Sequence, residues 1–123
     1  MHVTRFQQAP AYTAPGHFDM RCLRLQGKEA GPSVQMWMGM SIIEPGGRTE
    51  LDPSAIEKLY FVARGELTVV GAVDGQVQRS SLGTFDSCRF APGEARQLIN
   101  DSDQQALVVL VMACAPPQVE PGA

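Results

Sequence analysis

The feature that most constrains the fold is a regular alternation of short apolar runs with turn-forming residues. Runs rich in Val, Ile, Leu, Met and Phe recur about every ten residues, and Gly, Pro and Asp separate them. No window shows a sustained apolar period of the helical type with capping residues at its ends. This spacing predicts an all-β sandwich or barrel.

The strands can be placed from the apolar runs and the turns between them. The predicted strands span residues of about 20–25, 34–43, 59–62, 67–70, 77–82, 87–90, 95–100 and 106–112. The turn Glu44-Pro45-Gly46-Gly47 is predicted to end the second of them. The last run is apolar on both faces and is predicted to lie deep in the sheet. We predict one domain over residues 1–123, with a core of about 34–112, an extended arm over 1–19 and a flexible tail over 116–123.

Composition limits the partners and the compartment. A chain of 123 residues with 44% hydrophobic and 19% charged residues fits one folded domain. The net charge of −3 argues against nucleic acid or an anionic membrane as a partner. Cys22, Cys88 and Cys114 are scattered and odd in number, which indicates free thiols in a reducing compartment. With no signal-like apolar start and no apolar run long enough to span a bilayer, we expect a cytoplasmic protein.

The stretch 45–67 concentrates the groups that could do chemistry. A glycine turn is followed by a polar, proline-containing loop that carries most of the nearby charge. A run of β-formers then leaves the loop and ends at Arg64-Gly65, before a further strand signal. We therefore expect the functional residues on this loop and on the strand that leaves it.

Two spacings in the chain resemble those of a small single-domain cupin, a conserved-barrel jelly roll of the RmlC type. The first cupin motif runs Gly, five residues, His-x-His, three or four residues, Glu, six residues, Gly. Gly46 and Gly65 occupy its two glycine positions in this chain. The positions of its two His and its Glu hold Asp52, Ser54 and Lys58.

The second cupin motif, Pro-x-Gly-x-x-His-x-x-x-Asn, has a counterpart later in the chain. Gly93 and Asn100 match, Arg96 stands at the His position, and Pro92 lies one place after the Pro position. The resemblance covers residues of about 34 to 112. It implies a cupin jelly-roll barrel with an extended N-terminal arm.

The departure from the family concerns its metal ligands. Three His and one Glu bind the metal in the family, and here those positions hold Asp52, Ser54, Lys58 and Arg96. Lys is a poor ligand unless deprotonated and Arg is not a ligand, so we expect no cofactor and no metal at this site. The dioxygenase chemistry of the family is not expected either. An atypical metal would have to use other groups, of which the chain offers His17, Glu50, Asp52 and Glu57.

The substituted positions predict a cationic cavity. If Lys58 points into the barrel as the family's Glu does, Tyr60 also points inward, because side chains alternate along a strand. Arg96 and Leu98 share one side of the facing strand and would meet Lys58. Two cations this close require an anion, either an internal carboxylate or a bound carboxylate, enolate or phosphate. A desolvated Lys58 next to a second cation would have a lowered pKa and could act as a base or a Schiff-base nucleophile.

These arguments give a set of candidate site residues. The catalytic candidates are Lys58, Arg96, Glu57, Tyr60 and His17. The substrate-binding candidates are Arg48, Asp52, Trp37, Met38, Met40 and Leu98. Each group also has a purely structural alternative. Lys58 and His17 can lie exposed on the surface, Arg96 can pair with Glu94 or Asp52, Tyr60 can be a core residue whose hydroxyl bonds to the backbone, and the methionines can form a packed strand face.

The function expected from this site is that of a metal-independent enzyme, a lyase, isomerase or decarboxylase acting on a small carboxylate-bearing substrate. The alternatives are a small-molecule binding or sensing module without turnover and a metal cupin with substituted ligands. The expected partners are a small anionic ligand and, from the resemblance to cupins, a second copy of the chain. The N-terminal arm is suited to packing over the domain or across the two-fold axis of such a homodimer.

Overall fold

The computed structural model describes residues 1–114, and all structural statements concern this part of the chain. It consists of strands, turns and two 3-10 helices, Phe6–Gln8 and Lys28–Ala30, and residues 1–114 contain no α-helix. The prediction of an all-β chain is confirmed. The predicted flexible tail over 116–123 lies outside the described residues.

Ten strands form one antiparallel sheet that curls into a nearly closed barrel. The strands are β1 (Ala11–Tyr12), β2 (His17–Gln26), β3 (Met36–Thr49), β4 (Asp52–Pro53), β5 (Lys58–Arg64), β6 (Leu67–Val73), β7 (Gln76–Leu82), β8 (Ser87–Phe90), β9 (Ala95–Ile99) and β10 (Ala106–Ala113). The order along the sheet is β7-β6-β9-β3-β10-β5-β8, with β2 paired to β1 and β3, and β4 paired to β9. The barrel therefore stays open between its edge strands β7 and β8.

Alternation along each strand separates an inner from an outer face. On β5, Tyr60 and Val62 are buried, whereas Leu59 and Phe61 are exposed on the outside. On β10, Val108 is fully buried inside and its neighbours are partly covered on the outer face. The predicted burial of β10 on both faces is therefore complete on one face only.

Asn100 and Gly65, one residue from each of the two motifs, stabilise turns of the barrel. Asn100 is fully buried, and its amide donates hydrogen bonds to the carbonyls of Ile43 at 3.0 Å and Gln104 at 2.8 Å. Its Oδ1 accepts a hydrogen bond from the backbone N–H of Ser102 at 3.1 Å. Gly65 has a φ of +90°, and a Cβ there would lie 2.9 Å from the carbonyl oxygen of Gln105. These framework positions are thus required by the backbone, whatever the cavity binds.

Four strands differ from the sequence prediction. β3 does not stop at residues 44–47 but continues to Thr49. Beyond Ile43, where its pairing with β10 ends, Arg48 pairs with Phe18 of β2 on one side and with Ile99 of β9 on the other. The strands β1 and β4 have only two residues each, which is too short for an apolar period to reveal them. β2 begins at His17, inside the predicted arm.

The N-terminal arm packs on its own barrel. Ala11 pairs with Leu23 and Tyr12 with Cys22 of β2 in the same chain. Of the two packing modes expected for the arm, the structure thus contains the one over the domain itself. The homodimer stays a prediction.

Cys22, Cys88 and Cys114 are free thiols, as predicted. Within residues 1–114 no helix has the length and apolar character needed to cross a membrane.

Candidate active site

One cavity of about 290 Å³ inside the barrel collects the cationic side chains. β2, β3, β5 and β9 contribute most of its wall, and the arm residues between Tyr12 and His17 close one side. Six of the residues predicted from the sequence line it: His17, Trp37, Lys58, Tyr60, Arg96 and Leu98. With Arg24, which also lines it, the cavity combines four basic groups with an aromatic and aliphatic wall.

Arg96 is the most deeply buried charge in this wall. Only 6% of the residue is exposed, and its Nε has no hydrogen-bond partner within residues 1–114. Asp52 lies directly opposite Arg96 in the β4–β9 pairing, yet the described residues show no ion pair between them. The described residues show no ion pair between Glu94 and Arg96 either. The Glu94 carboxylate accepts a hydrogen bond from the backbone N–H of Ala91 at 2.9 Å. The structural alternative of an Arg96 ion pair is therefore not realised in the described structure.

Lys58 is the second cation and stands at the start of β5. It is half-buried and makes no hydrogen bond or ion pair with any of residues 1–114. Burial and, to a smaller extent, the nearby charge of Arg96 lower the pKa of Lys58 to about 8, against an opposing effect of Asp52. At neutral pH the neutral form of the Lys58 amine is therefore far more populated than that of an ordinary lysine.

His17 is half-buried at the cavity wall and not exposed as the turn before it suggested. Its Nδ1 lies 2.8 Å from the carbonyl oxygen of Pro15. Because a carbonyl only accepts, Nδ1 carries the hydrogen of the neutral ring and Nε2 keeps its lone pair. Burial lowers the pKa of His17, and the charges of Arg96 and Lys58 act in the same direction. His17 is thus suited to accept a proton.

Tyr60 contributes a buried ring and an available hydroxyl. The ring packs edge-on against Phe90, with centroids 5.9 Å apart. Burial raises the pKa of Tyr60 to about 12, so the hydroxyl keeps its proton at neutral pH. No hydrogen bond to this hydroxyl is found in residues 1–114, in contrast to the expected bond to the backbone. Tyr60 is therefore a core residue with a free donor at the cavity.

Four predicted site residues lie elsewhere. Glu57 is exposed and bonded to Arg89, and Arg48 is exposed over the ring of Phe18, 5.0 Å from its centroid. Met38 and Met40 are on the face of β3 opposite to Trp37, because neighbouring side chains of a strand alternate. The structure thus separates the methionines from the tryptophan with which they were grouped.

Asp52 is exposed beside the cavity and not in its wall. The carboxylate oxygens of Glu50 and Asp52 lie 3.0 and 3.4 Å from the position that a Cβ of Gly16 would occupy. The two carboxylates therefore stand near each other, next to the arm segment that precedes His17. The charge of Asp52 partly opposes the lowering of the pKa of Lys58 and of His17.

The sequence reasoning missed Tyr12 and Arg24. The Arg24 guanidinium lies 3.5 Å from the ring centroid of Tyr12 and 4.4 Å from that of Trp37, and the two rings meet edge-on at 5.9 Å. Arg24 also bonds to Glu29 at 2.8 Å. The lone Tyr between two prolines of the arm was a weak signal for this contact, because only the β1–β2 pairing brings it to the cavity.

The residues at the family's metal positions do not fit a metal ion. Lys58 and Arg96 put two cations in the cavity, and the orphaned Arg96 Nε is a donor, not a ligand. Among residues 1–114 no cluster of three or more His, Cys, Asp or Glu side chains is placed to hold a metal. We therefore derive no reaction step through a metal.

Solved structures of other proteins share this fold. The polyketide cyclase RemF from Streptomyces resistomycificus superposes with a TM-score of 0.79 at 18% identity, over 95% of this chain and 82% of that one. An RmlC-like cupin from Shewanella frigidimarina NCIMB 400 gives 0.71 at 16% identity, over 94% and 92%. The oxalate decarboxylase of Lactobacillus farciminis gives 0.75 at 18% identity, over 92% of this chain and 32% of that one. The chain has the fold of the RmlC-like cupins.

A relative with a closer sequence is found among characterised proteins. The chain is 43% identical over 113 residues to the protein named Beta-D-galactosidase Rv1717 of Mycobacterium tuberculosis (strain ATCC 25618 / H37Rv). The match covers 92% of this chain and 94% of the relative, so the two proteins belong to one family. No model of a known protein family matches the chain.

Proposed function

We propose that the chain is a metal-independent enzyme of the lyase, isomerase or decarboxylase type that binds a small carboxylate-bearing substrate in the barrel cavity. The observation that carries this proposal is the buried Arg96, whose Nε lacks a partner within residues 1–114. A buried donor on a charged group is strongly unfavourable when unpaired. A ligand carboxylate supplies the acceptors and the countercharge that the described protein does not.

Lys58 supports the same ligand class. It shares the cavity with Arg96, and the repulsion between the two charges contributes to the lowered pKa of Lys58. An anion bound between them offsets this repulsion and raises the charged fraction of Lys58, while the effect of burial remains. Binding should therefore be accompanied by proton uptake near pH 8.

The reaction class follows from the groups that surround the expected anion. Loss of a proton or of carbon dioxide next to a carbonyl leaves an enolate, and the positive charge in the cavity stabilises it. His17, with a free Nε2, accepts or returns the proton at carbon. The Tyr60 hydroxyl, protonated at neutral pH, donates a hydrogen bond to the same oxygen.

A second candidate function is hydrolysis of a β-D-galactoside, which is suggested by the name of the mycobacterial relative. Most glycosidases use two carboxyl groups on either side of the scissile bond, about 5 to 10 Å apart. Glu50 and Asp52 place two carboxylates near each other beside the cavity. In this case the substrate lies at the rim of the barrel and the cations are not required.

A binding or sensing module without turnover, and a metal cupin that uses Glu50, Asp52, Glu57 or His17, are the remaining alternatives. A module binds the same anion as the proposed enzyme but leaves it unchanged. A metal cupin loses its activity when the metal is removed by a chelator, whereas the proposed enzyme does not.

The test compares ligands and variants in metal-free protein. Calorimetric titration with pyruvate, lactate, acetone and galactose reports binding, and proton NMR in D₂O reports turnover. We expect the two carboxylates to bind, the neutral compounds not to bind, and Arg96→Met to weaken binding at least tenfold. Arg79→Met, on the exposed strand β7, is the matched control and should have no effect.

The same experiment includes an aryl β-D-galactoside as substrate. The second candidate requires hydrolysis that is lost in Glu50→Gln and Asp52→Asn but retained in the exposed control Glu66→Gln. If such hydrolysis is found and Arg96→Met does not change it, the second candidate replaces the proposal. Pyruvate binding without any chemical change over hours would instead support a binding module without turnover.

A further inference from the structure

We propose that Lys58 forms an imine with the carbonyl carbon of a 2-oxo acid whose carboxylate is bound by Arg96. This inference rests on the proposed function and narrows it to a substrate class and a covalent step. Three observations carry it: the position of Lys58, the absence of a partner for it among residues 1–114, and the groups placed around it.

The position of Lys58 is that of a nucleophile and not of a surface lysine. Its backbone pairs with Phe90 of β8 and Met112 of β10, which fixes the start of β5 between two strands. The side chain lines the cavity together with Arg96 and is half-buried there. The chain's other lysine, Lys28, is exposed in the 3-10 helix Lys28–Ala30. The two lysines therefore form a natural pair of site and control.

The Lys58 amine is free to react. No carboxylate among the described residues forms an ion pair with it, and no hydrogen bond occupies its lone pair. Burial and the charge of Arg96 favour the neutral amine. A pKa of about 8 leaves about a tenth of the amine neutral at pH 7, against about one part in three thousand for an ordinary lysine.

The groups around Lys58 suit a 2-oxo acid. A carboxylate on Arg96 leaves the adjacent carbonyl within the same cavity as Lys58, since the two side chains share its wall. The Tyr60 hydroxyl is a donor for the carbonyl oxygen, and His17 is a proton acceptor. A ligand with a carboxylate but no carbonyl uses Arg96 alone.

The step balances without an oxidant or a reductant. The amine lone pair forms the carbon–nitrogen bond, and the electron pair of the carbonyl π bond moves to its oxygen, which takes up a proton. The resulting carbinolamine loses the oxygen as water while nitrogen gives up a proton, which leaves a protonated imine. This cation withdraws electrons from the neighbouring carbon, so that a C3 proton passes to Nε2 of His17.

The test is reductive trapping in the Lys28→Arg protein, in which Lys58 is the sole lysine. Metal-free protein is incubated with pyruvate and cyanoborohydride, and peptide mass spectrometry locates the reduced adduct and separates Lys58 from the N-terminal amine. We expect one adduct at Lys58, none in Lys28→Arg/Lys58→Met, and at least tenfold less in Lys28→Arg/Arg96→Met. Acetone, which lacks the carboxylate, should label Lys58 at least tenfold more slowly.

A second readout is exchange of the C3 hydrogens of pyruvate for deuterium in D₂O. Exchange should be lost in Lys58→Met and retained in Lys28→Arg. Binding of pyruvate and lactate that depends on Arg96, with no adduct and no exchange, overturns the imine but leaves the anion site. Failure of both carboxylates to bind overturns the imine and the proposed function together.

Discussion

Asp52 and Arg96 face each other across the β4–β9 pair, and yet the carboxylate and the guanidinium form no ion pair in the described structure. Directly opposite residues of an antiparallel pair are close enough for such a contact. The exposed Asp52 instead stands beside Glu50 and Gly16, while Arg96 is buried in the cavity wall. The buried charge of Arg96 thus remains available to a ligand.

The first prediction concerns the stability of the protein without ligand. Arg96→Met replaces a buried cation that lacks a full set of partners by an apolar side chain of similar length. Such replacements are neutral or stabilising, and we expect the free energy of unfolding to rise by about 1 kcal/mol. Urea denaturation checks this, with Arg79→Met as the exposed control. A loss of more than about 2 kcal/mol would show that Arg96 is a structural anchor.

The second prediction concerns the pH dependence that Lys58 gives to stability. Its pKa is lowered from 10.5 to about 8 in the folded chain, so the unfolded chain binds more protons between these values. Stability contributed by this group therefore rises as the pH increases from about 8 towards 10.5. Burial is the main cause of this shift, the charge of Arg96 from β9 adds to it, and the charge of Asp52 from β4 opposes it.

The measurement is the difference in free energy of unfolding between Lys28→Arg and Lys28→Arg/Lys58→Met from pH 7 to pH 10. The difference should shift in favour of the protein that retains Lys58 as the pH rises. A difference that is constant over this range would mean that the Lys58 amine is solvated like a surface group.

The third prediction concerns the contact between the arm and the barrel. Tyr12 stacks on Arg24, which also lies over Trp37, so Tyr12→Ala removes a cation–π contact and an aromatic pair. We expect a loss of about 1 to 2 kcal/mol in the free energy of unfolding. Tyr12→Phe, which keeps the ring, is the control and should stay within about 0.5 kcal/mol of the native protein.

A double-mutant cycle of Tyr12→Leu with Arg24→Met separates the contact from the burial of each side chain. Its coupling energy should be about 0.5 to 1 kcal/mol. A coupling near zero would mean that the arm is held by the β1–β2 pairing alone.

The fourth prediction concerns the framework. Asn100→Ala leaves the carbonyls of Ile43 and Gln104 without their donor and removes the acceptor for Ser102. We expect a loss of about 2 to 4 kcal/mol, because the buried groups are left unsatisfied. Gln104→Ala keeps its backbone carbonyl and should change stability by less than about 0.5 kcal/mol. Equal effects of the two changes would contradict the structural role given to Asn100.

The fold could be predicted because the turns require particular residues. Gly65 needs a positive φ and a close approach to Gln105, and Asn100 ties two turns together, so their spacing was visible in the sequence. The strand period then placed Tyr60 inside and Phe61 outside. Because these requirements are local, the sequence alone indicates them.

The site could be predicted only in part, because long-range pairings build it. Lys58, Arg96 and Leu98 were found from the motif spacing, but Tyr12 reaches the cavity through the β1–β2 pair alone. Met38 and Trp37 were both predicted to bind substrate, and the alternation of β3 places them on opposite faces. Whether a charged side chain is paired, as Glu57 is and Arg96 is not, depends on contacts that no spacing reveals.

The proposed site binds a carboxylate through fixed positive charge in the cavity, without a metal ion. It is tested most directly by the Nε–H resonance of Arg96 in a proton–nitrogen correlation spectrum of metal-free protein, assigned with Arg96→Met and titrated with pyruvate. The account predicts a saturable shift of this resonance and no shift of the Arg79 resonance. An Arg96 resonance that does not move, or that moves only after a divalent metal is added, would contradict it.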